Sequence, residues 1–297
     1  MYRFIALLLL IPFPILWMNP VPSVNPVLAQ TSSGRGVAAP TLTGQALVER
    51  ALANELNAAQ EANHDASHPM RYQLRKANPR GITTKEILET RDGEVARLNA
   101  INDKPLSAAD ETNEEARLNA LLGDPAKQRR RKQAEEDDTG RALKVLRALP
   151  SAFLYQDAGP GEAPTGKVEK FTFRPNPGFD PLSLETEVLP AMTGEIWIDP
   201  VHLRVARLEA HLQKDVVFGW GILGRLNKGG WIVIEQADVG PDKGIDQWRT
   251  VRLQIQMSGR VVFKNRVFDT TEVQSNYAPL PQGMSYQEAV ELLLSGK

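Results

Sequence analysis

At 297 residues with 42% hydrophobic content, the chain is long enough for one large or two small domains and an ample core. Its 35 lysines and arginines against 36 aspartates and glutamates leave a net charge of -1, which argues against a nucleic-acid partner, since polyanion binders carry a basic excess. The absence of cysteine excludes disulfides, thiol catalysis, thiolate metal sites and the lipid-modified cysteine of a bacterial lipoprotein.

Residues 1–29 read as a signal peptide. Arg3 supplies a minimal positive start, residues 4–17 are apolar but broken by Pro12 and Pro14, and Val27-Leu28-Ala29 has the small residue that cleavage needs. The run falls short of the roughly 20 apolar residues of a spanning helix. Cleavage is expected after Ala29, with the mature chain exported to the periplasm; an uncleaved N-terminal membrane anchor is the alternative. Residues 30–41 are small and polar and form a flexible linker. Residues 42–297 are expected to form a single domain.

Thr43 caps a helix over 44–63, where Val48, Leu52, Leu56 and Ala59 form a four-residue ladder that Leu47 and Ala51 widen. Residues 70–76 alternate as a strand, and 83–90 and 94–101 flank Asp92-Gly93, a hairpin signal. From 107 to 149 the chain is charged, alanine-rich and helical in period, with a break near Gly123-Asp124-Pro125. This stretch reads as a helical insertion. Residues 153–155 and 168–173 read as strands separated by a Gly/Pro-rich loop, and the three prolines of 174–181 require another loop.

Residues 194–275 then form a run of antiparallel strands. Ile196 and Ile198 share one face with Trp197 on the other, and Asp199-Pro200 turns the chain. Ala206, Leu208, Ala210 and Leu212 alternate with Arg207, Glu209, His211 and Gln213, as a half-buried strand requires. A glycine-rich segment leads to a strand over 231–239. Val251, Leu253, Ile255 and Met257 mark the next strand, Ser258-Gly259 fits a tight hairpin, and 261–271 returns. Ser285 caps a short terminal helix. A meander with one apolar face needs a cover, and the helix over 44–63 is expected to supply it.

No catalytic constellation emerges. Gly219-Trp-Gly-Ile-Leu-Gly224 matches a dinucleotide fingerprint in letters only, because Asn227 and Gly229-Gly230 end any helix that could receive the pyrophosphate. The segment is either packed between two strands or an apolar loop of Phe218, Trp220, Ile222 and Leu223 able to gate a cavity or touch a membrane. His64 and His68 have helical metal-ligand spacing but no third ligand nearby. Arg129-Arg-Arg-Lys132 precedes Glu135-Glu-Asp-Asp138, a pairing of charges expected on a solvated helix. Glu185, Glu187 and Glu195 are ordinary surface density for carboxylates. No enzyme activity, metal or cofactor is expected.

The signal peptide, the N-terminal helix and the meander carrying Gly194-Glu-Ile-Trp-Ile-Asp-Pro and Arg204-Val-Ala-Arg-Leu-Glu together resemble the lipoprotein-carrier (LolA/LolB-like) superfamily of bacterial envelope proteins over residues 44–101 and 165–275. The resemblance implies an α+β fold in which an antiparallel sheet, curled into an incomplete barrel, is covered by the N-terminal helix, here with a helical insertion at 107–149. It also implies an apolar cavity that takes a lipid or a lipid-modified protein. Such a cavity is expected to be lined by Trp197, Leu208, Leu212, Trp231, Val251, Leu253 and Ile255. The alternative is an interaction module without a cavity that docks an envelope protein or a membrane surface. The two differ in whether the apolar face of the sheet is hollow.

Overall fold

The structure, a computed structural model, describes residues 44–64 (of 62–64 the backbone only), 68–218, 224–240, 247–261 and 264–296. Helix α1 (Gln45–His64) precedes strands β1 (Met70–Asn78), β2 (Gly81–Leu88), β3 (Val95–Ile101) and β4 (Lys104–Pro105). Helices α2 (Ala108–Leu122) and α3 (Pro125–Ala152) follow, then β5 (Phe153–Ala163) and β6 (Gly166–Pro175). Two 3₁₀ turns (Leu184–Thr186 and Leu189–Ala191) lead into β7 (Met192–Asp199) and β8 (Arg204–Leu212). The chain continues through β9 (Val216–Phe218), β10 (Gly224–Leu226), β11 (Trp231–Asp238), β12 (Trp248–Val261) and β13 (Lys264–Pro279) to helix α4 (Tyr286–Ser295).

All thirteen strands join one antiparallel sheet in the order β4-β3-β2-β1-β13-β12-β11-β8-β7-β6-β5, with β9 and β10 set beside the end of β12. The path begins at β4 and ends at β5, so the sheet does not close into a barrel. This is an α+β fold built on an open, mostly antiparallel sheet. The first hairpin is stitched to the last strand, since β1 pairs with β13 from Met70↔Pro279 to Ala77↔Thr271.

Both faces carry helices. On one, α1 and the C-terminal half of α3 pack on the apolar sides of β5 to β8, β11 and β12, in a core that includes Val48, Leu52, Leu146, Leu149, Phe173, Ile196 and Leu253. On the other, α2 and α4 cover Leu88 and Val95 with Leu118, Leu121, Val290 and Leu293. The α2–α3 corner carries the chain around the β3 edge. There Gln128 Nε2 donates to Asp92 O at 2.9 Å, Lys132 Nζ to Arg91 O at 2.9 Å, and the Glu94 amide to Glu135 Oε2 at 3.1 Å. The helical stretch expected as an insertion therefore supplies half of the cover over the core. Its charged N-terminal part stays solvated, while Ala142, Leu143, Val145, Leu146 and Leu149 are buried.

Two turn assignments differ from the sequence reading. The Gly/Pro-rich stretch expected as a loop before β6 is the outer half of β5, paired as far as Ala163↔Gly166 with a bulge between Asp157 and Pro160. Proline is tolerated there because β5 is an edge strand. Ser258-Gly259, expected as a hairpin, lies within β12, and the chain reverses between Val261 and Lys264. Gly259 answers to a neighbour instead: a Cβ there would sit 2.2 Å from Arg225 O, so only glycine lets β10 approach.

Helix α1 is fixed to the sheet by an ion pair. Glu55 and Arg204 are 3% and 9% exposed. Arg204 Nε lies 2.8 Å from Glu55 Oε1 and its Nη2 3.1 Å from Oε2, a two-pronged geometry, and the Val205 amide donates to Oε1 at 3.1 Å. Arg204 also lies over the Trp248 ring, 5.7 Å from its centroid. Removing one partner strands a buried charge. Arg204→Met is expected to cost about 3–5 kcal/mol in urea unfolding, and adding Glu55→Gln, which keeps an acceptor for the Val205 amide, to recover most of that loss.

Candidate functional site

The residues expected to line a cavity divide between the two faces. Leu208, Leu212, Leu253 and Ile255 lie on the face that carries α1 and α3, and they belong to or pack on that core. Val251 stands half-buried where the β11–β12 pairing slips between Glu235 and Gln236. Trp197 and Trp231 point the other way, because they alternate with the core residues Ile196, Ile198 and Ile232. Phe218 is buried at 2% exposure, in the core with Val216 and Leu226. Trp220, Ile222 and Leu223 lie outside the described residues.

On the face away from α1, strands β7, β8 and β11 place polar and aromatic side chains in rows. Trp197 pairs with Arg207 and Arg207 with Glu235; Glu195 pairs with Glu209 and Glu209 with Val233; Thr193 pairs with His211 and His211 with Trp231. In the first row Lys170 and Arg207 both lie over the Trp197 ring, at 5.4 and 5.3 Å from its centroid. Arg207 also bonds Glu235 and, at 2.7 Å, Glu209 Oε2. In the second row Trp197 Nε1 donates to Glu195 Oε2 at 3.0 Å, and His211 Nε2 lies 2.9 Å from Glu209 Oε1. Trp231 Nε1 donates to Gln256 Oε1 at 2.8 Å.

Beside these rows lies a surface groove of about 700 Å³ that spans four strands. Leu154, Tyr155 and Gln156 of β5 form one wall, Thr172 to Arg174 and Thr193 to Glu195 the floor, and Glu209 and His211 the far wall. Gly194 lets the floor close up: a Cβ there would lie 1.9 Å from Glu209 O and 2.8 Å from the tip of the Phe173 ring. The hydrogen bonds from Arg207 and then His211 hold the Glu209 carboxyl below its ordinary range. Burial, reinforced by the charge of Glu49, raises the Tyr155 phenol, whose hydroxyl donates to Leu149 O at 3.0 Å. These groups are held by neighbours in fixed positions. The Tyr155 and Phe173 rings sit on the core side, while Gln156, Thr172, Glu209 and His211 offer hydrogen-bonding groups to the groove.

The other sequence candidates stay apart. Glu185 pairs with Lys144 at 3.0 Å, and Glu187 borders a smaller depression of about 350 Å³ with Pro181, Pro190, Lys214 and Val217. The structure brings Glu195 to Glu209 instead, a juxtaposition set by the register of the Asp199-Pro200 hairpin and missed in the sequence. His202 Nδ1 lies 3.0 Å from Asp199 Oδ2, with the ring 5.5 Å from that of Trp248. Lys132 lies 3.9 Å from Glu136, as expected of a charge-paired helix. Among the described residues, no three histidine or carboxylate side chains gather as metal ligands, and no helix is long and apolar enough to cross a membrane.

No protein-family profile matches the chain, and no curated protein sequence does. Two solved structures are matched at low similarity. One is a domain from Vibrio parahaemolyticus named as an outer membrane lipoprotein-sorting protein, with TM-score 0.30 and 10% identity over 83% of this chain and 99% of that one. The other is MucB in complex with MucA(peri), with TM-score 0.22 and 9% identity over 77% of this chain and 98% of that one. At these identities no site residue carries over, and the groove is read from its own geometry.

A carboxyl with a lowered pKa contributes stability above its unfolded value and loses it as pH falls through the folded one. NMR titration of Glu209 is expected to place its carboxyl below the usual glutamate range, and Arg207→Met to move it back up. The stability advantage over Glu209→Gln should fade as pH drops through the lowered value.

Proposed function

We propose that this chain is a non-enzymatic interaction protein of the bacterial envelope whose groove on the outer face of β5 to β8 holds a segment of a partner polypeptide. The observation that carries this reading is the division of labour between the faces. The apolar face is packed by α1 and α3, whereas the groove opposite is open and presents polar side chains, Gln156, Thr172, Thr193, Glu195, Glu209 and His211.

A polypeptide suits the groove because β5 forms one wall and pairs only with β6 among the described strands. Its free edge beside Leu154 to Gln156 offers the backbone donors and acceptors that a bound strand can use. Beyond Asp157, the bulge and Pro160 stop such pairing from spreading along the edge. The reading of residues 1–29 as a signal peptide supports a periplasmic location. A cavity for a lipid or a lipid-modified protein would need the face under α1 to be hollow. Leu208, Leu212, Leu253 and Ile255 pack there, and toward β13 the same face turns polar, with buried Glu272 held by Lys76 at 2.7 Å.

The test is native mass spectrometry of the protein purified from a periplasm, with organic extraction of bound material. A bare polypeptide mass, with no uptake of added fatty acid or phospholipid, is expected; a near-stoichiometric lipid would sink the reading. Photo-crosslinking residues placed at Gln156 or Thr172 in cells are expected to capture a polypeptide, whereas the same residue at Arg129 should not.

A further inference from the structure

The end of the sheet where β9, β10, β12 and β13 terminate has a charge unlike that of the chain as a whole. Residues 213–230 and 257–268 contain six cations, Lys214, Arg225, Lys228, Arg260, Lys264 and Arg266, against one carboxylate, Asp215, in a chain of net charge -1. Asp215 is already engaged: it accepts from the Lys228 amide at 2.8 Å and from the Arg225 guanidinium, and these two contacts hold its carboxyl below its ordinary range. All six cations are exposed, and Arg260, Lys264 and Arg266 form no ion pair among the described residues. Several cations elsewhere on the sheet are matched, as in Arg71 with Glu86, Arg75 with Asp103 and Arg207 with Glu235. Arg225 and Arg260 even stand directly opposite each other in the β10–β12 ladder, a like-charge pair that works against folding.

The same end exposes aliphatic side chains. Val217, paired with Arg225, is 50% exposed and Val267 is 70% exposed. Leu182, 94% exposed, follows Pro181, which shares the smaller depression with Val217. Arg260, Val217 and Val267 share one face of these strand ends and Lys264 and Arg266 the other, so both faces of this end carry exposed cations. A bilayer of anionic lipid takes cations at its phosphates and aliphatics just below them.

We propose that this end of the sheet docks on an anionic phospholipid surface. The proposal stands apart from the groove on the outer face, which lies farther along the sheet on β5 to β8. The test is co-sedimentation of the full chain with vesicles of phosphatidylcholine alone or mixed with an equal part of phosphatidylglycerol. Any contribution of the apolar residues 1–29 appears with both vesicles, so the readout is the preference for the anionic ones. The protein is expected to prefer the mixed vesicles and to lose that preference in high salt.

Arg260→Glu with Lys264→Glu and Arg266→Glu should weaken the anionic-vesicle affinity by at least about tenfold. Lys127→Glu with Arg129→Glu and Arg130→Glu, the same charge change on exposed α3, should leave it intact. Val217→Ser with Val267→Ser, which leaves the charge alone, should also weaken binding, and gives a second route if the charge-reversed protein fails to fold. The proposal is overturned if the unaltered chain shows no preference for the anionic vesicles, or if the two charge-reversed variants weaken equally. It is also overturned if polyglutamate is bound and the vesicles are not.

Discussion

One carboxylate, Glu55, holds the architecture in register. It takes both prongs of Arg204 and the Val205 amide, where β8 leaves the Asp199-Pro200 turn. A helix packed only by leucines can slide by a turn with little penalty; one whose buried acid must meet a particular guanidinium cannot. Because α1 also packs against α3, the same contact sets where the second helix rests on the sheet. The pair thus gives specificity to a core whose apolar contacts are individually interchangeable.

With α1 and α3 seated, one face of β5 to β8 is buried and the other is left exposed. The alternation of β7 and β8 does both jobs at once. Ile196, Ala210 and Leu212 enter the core, while Trp197, Arg207, Glu209 and His211 build the ladders beside the groove. The exposed face therefore inherits the rigidity of the core it is made from, and its side chains arrive pre-oriented by cross-strand contacts. That arrangement favours binding through low reorganisation.

Much of the fold was legible in the sequence. The ladder of Val48, Leu52 and Ala59, the Ser285 cap and the period-two strands appear where the residues place them, because each is a local rule with a local cause. Misreadings arose where a glycine or proline serves a neighbour distant in sequence. Gly259 makes room for Arg225 O, and the Gly/Pro stretch of β5 survives as strand only because nothing pairs on its outer side among the described strands. The groove was hidden for a related reason. Glu195 and Glu209 become neighbours through the register of a hairpin, and Gln156 joins them through the position of β5 in the sheet, neither of which is written in either segment alone.

The pairing of β1 with β13 has a consequence for how the molecule is made. The sheet joins residues 70–78 to residues 271–279, so its central ladder cannot form until almost the whole chain is in one compartment. Long-range closure of this kind folds slowly, because the entropy of a large loop must be lost before the contacts compensate for it. Such a delay suits any polypeptide that must cross a membrane before it folds. A chain that stays unfolded while it is synthesised remains threadable through a membrane, and it acquires its fold only on the side where its last strand arrives.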